Sequence, residues 1–156
     1  MEKEMVINNK KQITSFRGDH FFLSNFYPCK IVYRGREYKT AEHAFQAQKC
    51  VTKDDIIEIQ EANNPQMAKR IGKKVKLRED WEDVKVSLMR EIVEVKFIQN
   101  KEIRDKLIKT YPSDLIEENT WNDRTWGVCK GKGKNLLGII LMEVRDKFIK
   151  EENNRE

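Results

Sequence analysis

Apolar side chains return every three or four residues from Trp81 onward. Trp81, Val84, Leu88, Ile92 and Val95 share one side of a helix, which predicts a helix over 79–98 with a face turned to a core. A second stripe, Leu137, Ile140, Leu141, Val144 and Phe148, predicts a last helix opened by Asn135. Between the two, 101–109 reads as a shorter helix that ends near Pro112. Upstream, Thr40 is placed to cap a helix running to about Cys50, and Thr52 another to about Ala62. Asn64-Pro65 opens a third helix, which Gly72 closes. Two β-leaning runs, Cys29–Tyr33 and Arg36–Lys39, flank Arg34-Gly35 and predict a hairpin. Residues 14–28 are dense in aromatic rings and read as loop and strand. Residues 113–134 read as irregular, with short strands. The ends, 1–12 and 151–156, are polar and charged without a period, so flexible termini are expected there. No repeat or linker interrupts 13–150, which reads as one domain. The expected fold is α+β and mainly α-helical, a single domain with a small N-terminal β-hairpin or sheet packed on helices.

Composition adds limits. A chain of 156 residues suits one domain. Charged residues make up 37%, a share that can mark disorder. Here both signs are interleaved with periodic Leu, Ile, Val and Phe, which favours a folded domain. No run approaches ~18 consecutive apolar residues, so no membrane helix is expected. The N-terminal stretch lacks an apolar core behind a basic start, which argues against a signal peptide. Cys29, Cys50 and Cys129 are odd in number and far apart, against a disulfide framework or a Cys-rich zinc site. Two His exclude a three-His metal site. A reduced, cytoplasmic protein is expected. The net charge of +5 permits an anionic partner, nucleic acid or a phosphorylated small molecule.

Three segments carry candidate chemistry. On the helix at 40–50, Glu42, Gln46 and Lys49 fall on one side, with Ala41, Ala44, Phe45 and Val51 roughly opposite. Glu42 and Lys49 would lie about 10 Å apart along the axis. They are too far apart to pair and well spaced to hold two ends of a ligand; an ordinary solvated face would look the same. His43 sits between the faces, where a packed histidine with one satisfied hydrogen bond is the simpler reading. His20, beside Phe21, carries no stronger signal. The second segment, WGVCKGKGKNLLG (126–138), joins Gly131 and Gly133 to Lys130, Lys132 and Lys134. Asn135 then opens a helix whose first N–H groups are expected to be able to meet an anion. A flexible basic turn is the alternative, since the spacing matches no nucleotide-loop motif. In the third, WNDRTWG (121–127), Asp123 stands between Trp121 and Trp126. A carboxylate beside indole rings suits a site where a planar base stacks and an acid moves protons; two core Trp with a surface Asp fit equally. Phe21, Phe22, Phe26 and Tyr27 are further stacking candidates, or simply core.

Six segments occur in a telling order: FFLSNFYP (21–28), YKTAEHAFQAQK (38–49), VKLREDW (75–81), KFIQN (96–100), DRTWG (123–127) and GKNLLG (133–138). Together they resemble the NADAR family, also called YbiA-like, which includes riboflavin-intermediate N-glycosidases. The resemblance covers about residues 16–146. It implies an N-glycosidase that uses no metal and no cofactor. It also implies two substrate groups: phosphoribosylamino-pyrimidine intermediates of riboflavin synthesis, and ADP-ribose attached to guanine, free or in DNA or RNA. Both join C1 of a phosphorylated ribose to an amino group on a heterocycle, and no membrane partner is implied. Carried over by resemblance, Glu42, Lys49 and Asp123 are catalytic. Asn25, Phe26, Trp126, Gly127, Lys132, Lys134 and Asn135 bind substrate. Thr125 departs from the pattern, and Lys74 stands where many members have Arg; neither is given a role. Glu42 is expected to be the acid/base and Asp123 to orient ribose or assist proton transfer. Lys49 either binds phosphate or takes over C1 as a Schiff base, the latter being favoured. Two other readings remain. A non-catalytic module binding ADP-ribose or modified nucleic acid is weakened by Glu42, Lys49 and Asp123 all standing intact. A basic nucleic-acid-binding protein would bind unmodified DNA or RNA with strong salt dependence.

Overall fold

The computed structural model describes residues 4–7 and 10–155, with side chains from residue 11 onward. The chain divides into two compact units, Asn25–Asn100 and Met1–Ser24 with Lys101–Glu156.

In the unit Asn25–Asn100, strands β3 (Ile31–Tyr33) and β4 (Arg36–Tyr38) pair antiparallel, with Val32 opposite Glu37. Arg34 and Gly35 both take positive φ, 50° and 80°. That is the turn whose twist matches a two-residue hairpin. Ile31, Tyr33 and Tyr38 are buried while Val32 is exposed. Four helices follow: α1 (Ala41–Ala47), α2 (Lys53–Glu61), α3 (Pro65–Gly72) and α4 (Trp81–Gln99). The three predicted caps all form. Thr40 accepts the His43 N–H, Thr52 the Asp55 N–H and Asn64 the Met67 N–H, with Pro65 first in α3. Each such cap is worth about 1 kcal/mol. On α4, Trp81, Leu88, Met89, Ile92, Val93 and Phe97 are buried, with Lys96 among them. The Gln99 side chain ties the end of α4 to β3, accepting the Val32 N–H and donating to the Val32 carbonyl. Helix α1 is the hub: α2, α3, α4 and both strands of the hairpin pack on it. For that reason all seven of its residues are buried.

In the other unit, β1 (Glu4–Ile7) pairs antiparallel with β2 (Lys10–Ile13), and β2 pairs parallel with β5 (Asp114–Leu115). A 3-10 helix covers Gly18–Leu23. Helix α5 (Lys101–Lys109) packs on α6 (Leu136–Asn153), and α6 also packs on β5. The predicted stripe of α6 is buried as expected. Arg145 is buried with it and donates to the Thr110 hydroxyl and the Ser113 carbonyl. The segment 113–134 is irregular apart from β5 and short bridges, Glu118 to Val128 and Cys129 to Lys132.

The architecture is α+β with helix predominating, as expected. The polar ends differ from expectation. Residues 4–7 and 10–12 stand in strands, and α6 runs on through Asn153. The rest of those ends, 1–3, 8, 9 and 156, lies outside the described residues. The strands escaped notice because β2 finds a partner in β5 about a hundred positions later, and no local period announces such a pairing. Among the described residues no helix is long and apolar enough to cross a membrane.

Candidate active site

The face of α1 expected to be solvated is packed. Glu42 is 8% exposed and Gln46 4%. The Gln46 side chain Nε2 donates to Glu42 Oε2 at 2.6 Å. Glu42 sits at the start of α1, where its carboxylate complements the helix dipole. Its backbone N–H donates to the carbonyl of Asn25 at 3.0 Å. Asn25 is buried, with Nδ2 directed at the Met89 sulfur, and it therefore borders the entry to α1; Phe26 follows it, half-buried.

Helix α1 ends at Ala47, earlier than the expected Cys50, and Lys49 follows in a turn. That turn is not loose. The Lys49 carbonyl accepts the Arg78 N–H, the Gln48 carbonyl accepts from the Arg78 guanidinium, and Cys50 bridges Leu77. The Lys49 amine lies 6.0 Å from the centre of the Trp81 ring. Burial holds it below the ordinary lysine pKa, and nearby Lys69 on α3 and Lys73 just past its end push the same way. The Glu42 carboxylate opposes them. Burial and like charge favour a neutral, nucleophilic amine, while the carboxylate favours the charged form. These two lysines were not singled out in the sequence. Their spacing of four was the only available signal.

His43 is fully buried. Its Nδ1 pairs with the Thr40 hydroxyl at 2.7 Å and Nε2 with the Ala62 carbonyl at 3.0 Å. The carbonyl can only accept, so Nε2 carries a proton. Burial lowers its pKa further. Both ring nitrogens are spent on structure, one more than the single bond expected.

In the other unit, Asp123 organises its own turn. Its Oδ1 accepts the N–H groups of Thr125 and Trp126, at 3.1 and 2.9 Å. Asn119 clamps the backbone of Asp123 from both sides, accepting its N–H and donating to its carbonyl. Oδ2 takes no part in these bonds. Trp126 is half-buried, and Trp121 is exposed. Gly127 leaves no room for a Cβ against the Glu117 carbonyl, so its smallness serves backbone packing.

The basic segment is a built turn. Lys130 and Gly131 take φ of 52° and 75°, and Cys129 and Lys132 exchange backbone hydrogen bonds across them. The side chains of Lys132 and Lys134 are exposed. The expectation that the first N–H groups of α6 are open to an anion is corrected. Lys134, Asn135, Leu136 and Leu137 donate to the carbonyls of Arg124, Gly127, Thr125 and Trp126. Asn135 stands at the predicted cap position, yet its side chain makes no cap bond. It binds the backbone of Leu115 and Glu117 instead. Nonlocal backbone pairing fills the groups that a helix start otherwise leaves open.

An α+β domain that sets a carboxylate, an amide and a lowered-pKa amine on one short helix and its exit is equipped for acid–base and nucleophilic chemistry. The NADAR domain family matches residues 13–149, and the chain belongs to it. N-glycosidase YbiA of Escherichia coli (strain K12) is 41% identical over 133 residues, 83% of this chain and 82% of that protein. Riboflavin biosynthesis protein VVA0006 of Vibrio vulnificus (strain YJ016) is 38% identical over 137 residues, 83% of this chain and 36% of that one. The NMR structure of E. coli YbiA superposes with a TM-score of 0.80 at 38% identity, covering 90% of this chain and 88% of that one. The protein is a hydrolase of N-glycosyl bonds.

Proposed function

We propose that the bond it opens joins C1 of a phosphorylated ribose, as ADP-ribose or ribose 5-phosphate, to an amino group of a heterocycle. The substrates are ADP-ribosylated guanine, free or in nucleic acid, or early ribosylamino-pyrimidines of riboflavin synthesis, or both. The observation carrying this reading is the half-buried Lys49, its pKa lowered, with the Glu42 carboxylate and two further lysines acting on it. A glycosylamine can open to an imine at C1. The neutral Lys49 amine adds to C1 and gives up its two protons as the heterocycle nitrogen gains two, with Glu42 as the acid/base. The C1–N bond to the heterocycle then breaks and leaves a Schiff base on Lys49. Water adds to C1, Lys49 departs, and the sugar recloses with a hydroxyl at C1. Lys69 and Lys73 attract the phosphates.

By family resemblance, Asp123 orients the ribose through Oδ2 and Trp126 stacks on the heterocycle, worth about 1–3 kcal/mol. Lys132 and Lys134 hold phosphate. Asn25 and Phe26 border the substrate at the entry to α1, and Gly127 allows close backbone approach. Asn135 binds substrate by the same resemblance, while one N–H and one lone pair of its amide hold the backbone of Leu115 and Glu117. The Vibrio vulnificus relative is named for riboflavin biosynthesis, and the net charge of +5 suits either anion.

The test is mass spectrometry of the protein incubated with ADP-ribosylated guanosine and, separately, with a ribosylamino-pyrimidine 5′-phosphate. Release of the sugar phosphate with an intact heterocycle is expected for at least one. Two untouched substrates overturn the proposal.

A further inference from the structure

We propose that Gln46 is the positioning residue for Glu42, and that Gly72 of α3 is the spacer that keeps it in place. The inference rests on Glu42 being the acid/base of the reaction. Gln46 lies one turn after Glu42 on α1, and its Nε2 reaches Glu42 Oε2 at 2.6 Å. An ionised carboxylate only accepts, so the amide must turn its NH2 toward Glu42 and its carbonyl away. That carbonyl, Oε1, is buried with no hydrogen-bond partner among the described residues. It lies against Gly72, where a Cβ would overlap it. A buried amide oxygen left without a donor destabilises the fold. The fold accepts that cost at this position, which is what a side chain held for another purpose looks like.

Gly72 supports the same reading independently. It closes the helix α3 without a positive φ, so no backbone conformation demands glycine there. The reason for it is steric: any side chain at 72 drives the Gln46 amide off its seat and away from its bond to Glu42. Gln46 thus fixes the plane of the Glu42 carboxylate, and a small error in such a plane is expensive in rate.

The experiment compares wild type, Gln46→Met, Gly72→Ala, the double variant and Glu42→Gln on whichever of the two substrates is cleaved. Met keeps the length of Gln and removes the donor. Gln46→Met should lower kcat about tenfold to a hundredfold with KM within about threefold. Gly72→Ala should do the same to a lesser degree. Because Gly72 acts through Gln46, the double variant should be no slower than Gln46→Met alone. Losses that multiply, or a folded Gln46→Met within about threefold of wild-type kcat, overturn the inference. A second measurement needs no substrate. With 13C-labelled Glu, the carboxylate signal missing in Glu42→Gln is followed against pH. Loss of a donor to the charged form moves its midpoint upward in both Gln46→Met and Gly72→Ala, with Lys49, the neighbouring cation, unchanged. An unmoved midpoint in folded variants sinks the inference even if both proposed substrates prove wrong. Turnover lost in Glu42→Gln but kept in Gln46→Met separates failure here from failure of the acid/base assignment.

Discussion

Asn135 Oδ1 accepts the backbone N–H of Glu117 at 2.9 Å, while its Nδ2 donates to the Leu115 carbonyl at 2.9 Å. One side chain at the mouth of α6 therefore holds the chain leaving β5. Gly138, one turn along α6, lets that backbone approach, because a Cβ there would meet the Leu115 carbonyl and Asn135 itself. Asn135 also takes φ of 52°, a conformation Asn tolerates better than most residues.

Asn135→Ala should accordingly cost about 2–4 kcal/mol, two lost hydrogen bonds and a strained backbone together. Asn135→Gly removes both bonds and relieves the φ, so it should lose less than Ala. Urea denaturation of the three proteins checks the order. A loss under about 0.5 kcal/mol for Ala would mean that the clamp carries no weight.

Lys96 gives a pH-dependent prediction. It is fully buried on α4, 5.1 Å from the Phe97 ring centre and 5.8 Å from that of Tyr27. Burial lowers its pKa to about 8, with the Cys29 thiol opposing. The unfolded chain keeps the ordinary lysine value of 10.5. Between those two values the unfolded state binds more protons than the folded state, so stability rises with pH through that window. Below the window the buried charge costs a constant amount, on the order of 3 kcal/mol, because each tenfold loss of proton affinity is worth about 1.4 kcal/mol. Lys96→Met keeps the volume and removes the charge. Its stability relative to wild type should be greatest at pH 7 and shrink toward pH 10. Urea midpoints of both proteins at the two pH values test this; a difference that does not change with pH rules it out.

Helices were legible because their signals are local. Thr40, Thr52 and Asn64 each accept the N–H that their position implied, and the stripe on α6 is buried residue by residue. What a face packs against is not local. Glu42 and Gln46 lie on one side of α1 as the period requires, yet that side is buried, because α1 has helices and a hairpin packed around it. His43 shows the same limit: the Ala62 carbonyl that fixes its tautomer is nineteen residues away. The start of α6 was misread for a related reason. Its N–H groups answer the carbonyls of Arg124, Thr125, Trp126 and Gly127, a backbone pairing that no side-chain pattern records. The candidate chemistry on α1 was legible as residue types in order. The hydrogen bond that joins Gln46 to Glu42 and the lysines that act on Lys49 were not.

Lys49 supports the most direct test of the chemistry. A Schiff base on its amine is reducible, so cyanoborohydride under turnover should add one sugar phosphate to the protein, mapped by peptide mass to Lys49. Lys49→Ala should show no adduct and lose about a thousandfold or more in kcat, as expected when a nucleophile is removed. The amine must be neutral to attack, so trapping should rise with pH and level off below the pH where an ordinary lysine would. The neighbours set the direction in which the profile moves. Lys73 is exposed and lowers the Lys49 pKa, so Lys73→Ala should move the trapping profile to higher pH. Glu42 raises it, so Glu42→Gln should move the profile to lower pH while slowing turnover. Efficient turnover with no adduct at any pH would leave Lys49 as a phosphate ligand and return the attack on C1 to water activated by Glu42.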